Sequence, residues 1–208
     1  MAGFLNWILG RISADEQIGL EDYIERQEPL CYDAVVGSQR PPNEAGIYAW
    51  FFDWRIPSVC RSGCFGHSTF KLLYIGQASN LRRRIVNCHF KGSADVSTLR
   101  LTLGCLLEEV LPAKLSVTWR GRWTFSRDGE KRLSEWMRLH ARVTWIRLHD
   151  KFVDWPSTEG EGDEDVLDRA ERRLIKSFWL PLNLAHNREA VCGVVKRIRE
   201  QCMHEAKG

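Results

Sequence analysis

The chain has 208 residues, 44% of them hydrophobic, with seven cysteines and a formal net charge of +3. That is enough for one domain with a real core, with or without a small appendage. So mild a positive charge does not by itself announce nucleic acid, and no apolar run is long enough to span a bilayer, so a soluble protein with no membrane partner is expected. GFLNWILG near the start lacks a basic leader and an A-x-A cleavage site, and the cysteine count is odd; reduced thiols in an intracellular, cytoplasmic protein are the simplest account.

Residues 1–32 read as helical. Phe4, Leu5, Ile8 and Leu9 fall on one stripe, and Leu20, Tyr23 and Ile24 on another. A loop over 38–45 with Pro41 and Pro42 leads into GIYAWFF, from Gly46 to Phe52. This run and KLLYIG, from Lys71 to Gly76, are short, apolar and rich in β-branched and aromatic residues, so both read as strands of a sheet. The period of two puts Tyr48 and Trp50 on one face, with Ile47, Ala49 and Phe51 on the other. It likewise sets Leu72, Tyr74 and Gly76 opposite Leu73 and Ile75. If the strands pair, both tyrosines share a surface and the glycine opens space beside them.

Between the strands, Pro57, Gly63, Gly66 and cysteines mark 53–70 as an irregular excursion. Cys60, Cys64 and His67 there are zinc-ligand types without a convincing fourth partner, so a loop with buried thiols is the favoured reading. After Gly76, Ser79 or Asn80 can cap a helix that begins at Leu81. Leu81, Arg84 and Ile85 share its stripe, which sets Arg84 on or beside the inward face while Arg82 and Arg83 point elsewhere. A guanidinium so placed needs an anion.

Leu99, Leu103, Leu106 and Leu107 give a further buried helical stripe, stopped by Pro112. Leu115 to Trp119 alternates as a strand, a turn is expected at Asp128-Gly129, and KRLSEWMRLHA reads as a helix before a strand over 142–148. The segment 156–165 is acidic and rich in small residues, a loop by composition. The next helix carries Leu167, Ala170, Leu174, Ile175 and Phe178 on its inward stripe with Glu171 among them. A carboxylate there is costly unless it is paired or holds a metal. Periodicity alone leaves both open: a structural pair with Arg84, or a divalent cation.

GIY at Gly46–Tyr48, YIG at Tyr74–Gly76, an arginine ten positions after Tyr74, the pair His89-Phe90, Glu171 in AERRLIKSF and Pro181-Leu182-Asn183 occur in that order. Together they resemble the GIY-YIG nuclease superfamily. The resemblance implies an α+β fold, a small mainly antiparallel sheet flanked by helices. It divides the chain into a helical extension over 1–40, a nuclease domain over 41–190 with the insert 53–70 and the loop 156–165, and a closing helix over 191–208. It also implies a metal-dependent DNA endonuclease without a small-molecule cofactor.

In that reading Glu171 holds one Mg²⁺ or Mn²⁺, Arg84 grips a phosphate oxygen and Tyr48 is the general base. Tyr74 orients water or phosphate, His89 assists proton transfer and Asn183 supports the glutamate end. Arg82, Arg83, Gln77 and Arg100 are the expected nucleic-acid contacts. Two positions depart from the family pattern. Gln77 stands where several members have lysine, and His89 lies one residue farther from Tyr74 than the family's closest spacing. A nucleic-acid-binding module that has lost turnover is therefore the alternative, and a structural protein whose tyrosines are plain core residues the third.

Overall fold

The computed structural model describes residues 17–207 except 54–63, 68, 109, 112–114, 118–120, 149, 157–159 and 161. The Phe4–Leu9 stripe, Cys60, Pro112, Trp119 and part of the acidic loop lie outside the described residues. GIYAWFF forms the central strand β2 (Gly46–Asp53), after a short β1 (Ile18–Gly19) and helices α1 (Leu20–Arg26) and α2 (Tyr32–Val36). Antiparallel β4 (Phe70–Ala78) and β7 (Ala141–Arg147) flank β2, and the two-residue β3 (Gly66–His67) pairs with β4, giving the order β3-β4-β2-β7. A hairpin of β5 (Leu115–Val117) and β6 (Trp123–Phe125) stands apart, and β8 (Val153–Asp154) pairs in parallel with β1.

The faces of β2 separate as alternation demands. Tyr48, Trp50 and Phe52 enter one core, and Ile47, Ala49 and Phe51 the other. Strand β4 departs from strict alternation. Trp50 pairs with Tyr74 but Phe51 pairs with Leu72, so Leu73 is an extra residue, a bulge. Leu73 and Tyr74 therefore both face the first core while Leu72 crosses to the second. The expected grouping of Leu72 with Tyr74 is thereby corrected.

Helices cover both faces, as an all-round apolar sheet requires. On the first face lie α2, a π-helix (Arg83–Phe90), a 3₁₀ turn (Ala94–Val96), α3 (Thr98–Leu106), α4 (Arg127–His140) and α6 (Glu189–Glu205). Asp128 and Gly129, expected to form a turn, lie inside the first turn of α4, because the Ser126 side chain accepts from Gly129 N–H and caps the helix there. On the second face α1 packs with α5 (Asp163–Ser177), joined by the fork of Arg173 on Glu21 at 2.9 Å. Leu167, Ala170, Leu174, Ile175 and Phe178 are all buried there. No described helix is long and apolar enough to cross a membrane.

Candidate active site

Tyr48 stands in the middle of β2, 1% exposed, with its ring 6.4 Å from that of Tyr74 on the neighbouring strand. Gly76 lies directly across from it, and a Cβ at Gly76 would fall 2.4 Å from the Tyr48 hydroxyl oxygen. Only glycine lets the phenol lie over β4 here. The strand pairing and the missing side chain together decide where the hydroxyl goes.

Two groups from the next element meet that hydroxyl. Arg84 donates from Nε to Tyr48 Oη at 3.2 Å and from Nη1 to the Val96 carbonyl at 2.8 Å. His89 Nε2 lies 3.0 Å from the same Oη, while His89 Nδ1 lies 2.8 Å from Ser97 Oγ. Both residues come from the π-helix, which continues the helical turn at Leu81 that Asn80 caps by accepting from Arg83 N–H at 2.8 Å. The winding matters. Five residues apart on an α-helix, Arg84 and His89 would stand about 140° apart. With i→i+5 hydrogen bonding they come round to nearly one side, which absorbs the extra residue between Tyr74 and His89.

Glu171 approaches from α5 on the other face of the sheet and accepts a hydrogen bond from Gln77 Nε2 at 3.1 Å. Gln77, expected at nucleic acid, is thus turned toward the carboxylate. Among the described residues no ion pair joins Glu171 to Arg84, so the simple structural pair is not what forms. The carboxylate, both phenols and Arg84 are nonetheless close enough to bias one another's protonation.

Burial is the largest influence on each of these groups. It holds the Tyr48 hydroxyl well above its usual range, with Tyr74 adding to the effect and Arg84 opposing it. It pushes Tyr74 up as well, helped by Glu171. Burial raises Glu171 too, against the Gln77 hydrogen bond. His89 is driven well below its usual range by burial and by the charges of Arg84 and Arg100, so the ring is neutral.

Asn183 clasps the outer backbone of β4: its Oδ1 accepts from Ile75 N–H at 2.9 Å and its Nδ2 donates to Ile75 C=O at 2.7 Å. It braces the strand bearing Tyr74 and, among the described residues, makes no hydrogen bond to Glu171. Arg100 corrects an expectation. It is fully buried, forked on Glu130 at 2.6 and 3.2 Å, and donates to the His89 carbonyl at 2.8 Å, so it cannot reach a nucleic acid. Glu130 also accepts from Ala94 N–H at 2.7 Å. It thereby ties down the turn whose Val96 carbonyl holds Arg84. Arg82 donates to the Pro41 carbonyl at 2.9 Å, whereas Arg83 is exposed.

Ser97, Thr98 and the Val96 carbonyl were missed by reasoning from residue types. Ser97 caps the helix that follows it, its Oγ accepting from Arg100 N–H at 3.2 Å. Nothing in the sequence says that the same oxygen meets His89, or that Thr98 bonds Tyr74. Of the zinc-type residues, Cys60 is not described, and among the described residues no group of three or more His, Cys, Asp or Glu side chains is set to hold a metal.

No curated protein and no solved structure matches the chain. A family model described as the GIY-YIG catalytic domain does, over residues 46–201. That span runs from the first residue of β2 into α6 and takes in both tyrosines, the π-helix, Glu171 and Asn183. A match over most of the chain, joined to a curled antiparallel sheet between helices, means that the protein belongs to the GIY-YIG superfamily.

Proposed function

We propose that this protein is a metal-dependent DNA endonuclease. The family is nuclease-type, so nucleic acid is the substrate class. One observation carries the finer reading: a single phenol oxygen, Tyr48 Oη, is met by Arg84 Nε at 3.2 Å and by His89 Nε2 at 3.0 Å, with the Glu171 carboxylate in electrostatic reach.

The residues fit a hard divalent cation. Glu171 is partly buried, its proton affinity is raised, and its hydrogen-bond partner is a neutral amide. One carboxylate suits an ion that keeps most of its waters. When bound, Mg²⁺ or Mn²⁺ supplies Lewis acidity to the phosphate and its leaving oxygen. Arg84, held by the Val96 carbonyl, offers its guanidinium to a non-bridging oxygen. With His89 neutral and its proton on Nδ1 toward Ser97, Nε2 accepts the Tyr48 hydrogen bond, and Tyr48 Oη takes the proton of the attacking water as it passes its own to Nε2, a relay that avoids the free phenolate that burial opposes. Tyr74 orients that water or the phosphate, and Asn183 fixes the strand that carries it.

The test is nicking of supercoiled plasmid with Mg²⁺ or Mn²⁺. Glu171→Gln and Arg84→Ala should each slow it by roughly 10²–10³-fold, the range for losing one preorganised electrostatic group. Cleavage that survives both substitutions rejects this site. A second reading, a binding module without turnover, is favoured by the near-complete burial of Tyr48 and the upward push on its hydroxyl. It predicts DNA binding by the parent with no nicking in either metal.

A further inference from the structure

Beside Arg84 opens a cleft of about 400 Å³ that contains neither phenol. It is lined by Ser79 and Asn80 from the turn leaving β4, by Arg83 and Arg84 from the first turn of the π-helix, by the stretch from the 3₁₀ turn to Thr98, and by Arg122 from the loop before β6. Arg83, Arg84 and Arg122 share this lining with one carboxylate, Asp95, which also accepts from Ser93 Oγ. Arg84 spans the two regions: Nε faces Tyr48, and Nη1 reaches Val96 in the cleft wall.

Volume, charge and lining agree on the ligand. The volume lies in the range of ordinary ligand clefts, but the cleft has no aromatic ring on which a base could stack. Its groups are cations and small hydrogen-bonding side chains, the chemistry that positions a phosphate rather than reads a base. The Asn80 Oδ1 is taken by Arg83 N–H, which leaves the amide nitrogen as the donor.

We propose that this cleft is a second phosphate site, in which Arg83 and Arg122 hold a phosphate neighbouring the one at Arg84 on the same nucleic-acid strand. The proposal rests on the nuclease reading and adds to it that the enzyme grips at least two consecutive phosphates. Arg83 and Arg122 are then positioning residues, and of the three arginines Arg84 touches the reacting group.

The experiment measures affinity of the Glu171→Gln protein for a short DNA duplex between 50 and 300 mM NaCl, with Arg122→Ala and Arg83→Ala added singly, and Arg172→Ala as control. Arg172 is paired with Asp168 one turn away on α5 and is not among the residues that line the cleft. Each phosphate contact contributes about 0.9 to the slope of log affinity against log salt. Arg122→Ala and Arg83→Ala should each lower the slope by about one and leave Arg172→Ala unchanged. A parallel plasmid assay in an active Glu171 background should show a raised KM for Arg122→Ala with kcat kept. If Glu171→Gln binds DNA and the Arg122→Ala slope matches it, the second site is overturned while the nuclease reading stands. If Glu171→Gln binds no DNA at any salt, both fall.

Discussion

His89 shows how far a single residue's chemistry is set by what surrounds it. In the unfolded chain its ring takes a proton below about pH 6.5. In the folded protein burial, Arg84 and Arg100 all oppose that proton. The stabilisation is therefore complete above the unfolded value and is lost as pH falls toward the depressed folded value. The loss runs at about 1.4 kcal/mol per pH unit while only the unfolded chain is protonated. Urea unfolding at steps from pH 7 to pH 5 should show this slope in the parent. In His89→Asn the curve should be flatter by about that amount. Equal slopes in the two proteins would mean that His89 takes its proton as readily folded as unfolded, so that burial and the two arginines do not oppose it. Tyr48 works in the opposite sense. Its raised affinity for its proton costs stability only above about pH 10, so its contribution to stability near neutrality is flat.

At the scale of elements, the site depends on irregularities more than on regular structure. The Leu73 bulge turns two successive side chains to the first core, and π-winding sets Arg84 and His89 over one hydroxyl. Asn183 closes the outer edge of β4, where Leu182 N–H also donates to Leu73 C=O at 3.1 Å. Replacing Asn183 by Ala orphans the N–H and C=O of Ile75, at about 1–3 kcal/mol per group. A loss of at least about 2 kcal/mol is expected, or roughly 4–8 °C in Tm for a chain of this size. A calorimetric scan of Asn183→Ala with an unchanged Tm would show that the clasp is not holding the strand. The sequence made the regular parts readable: the two faces of β2, Asn80 as a cap, and Glu171 on an apolar stripe all follow from period and residue type. It could not show the bulge, because alternation in KLLYIG looks unbroken, nor the π-winding, since RRIVNCHF has good α-helical spacing. Arg100 was misread for a different reason. Its partner Glu130 lies thirty residues away, and only tertiary contact tells a buried fork from an exposed cation.

For the whole molecule, the central fact is that the site is assembled from both layers. Tyr48 and Tyr74 belong to the first core, with Arg84 and His89 bonded to the Tyr48 hydroxyl, whereas Glu171 rides on α5, which packs against the second. The layers approach near Gly76 and Gln77: Gly76 leaves room for the Tyr48 hydroxyl, and Gln77 donates to Glu171 from the other side. A cation held by Glu171 there would bind only the folded chain and so would stabilise it. At a hundredfold excess over Kd the gain is about 2.7 kcal/mol, or roughly 5–10 °C in Tm. Because burial raises the proton affinity of Glu171, protons compete for the carboxylate, and the gain should shrink as pH falls from 7.5 to 5. Thermal unfolding with and without Mn²⁺ at both pH values, on the parent and on Glu171→Gln, checks this without any turnover. The parent should be raised more at pH 7.5 than at pH 5, and Glu171→Gln at neither. An equal Mn²⁺ shift in both proteins would place the ion elsewhere and leave the carboxylate as a hydrogen-bond acceptor for Gln77 alone.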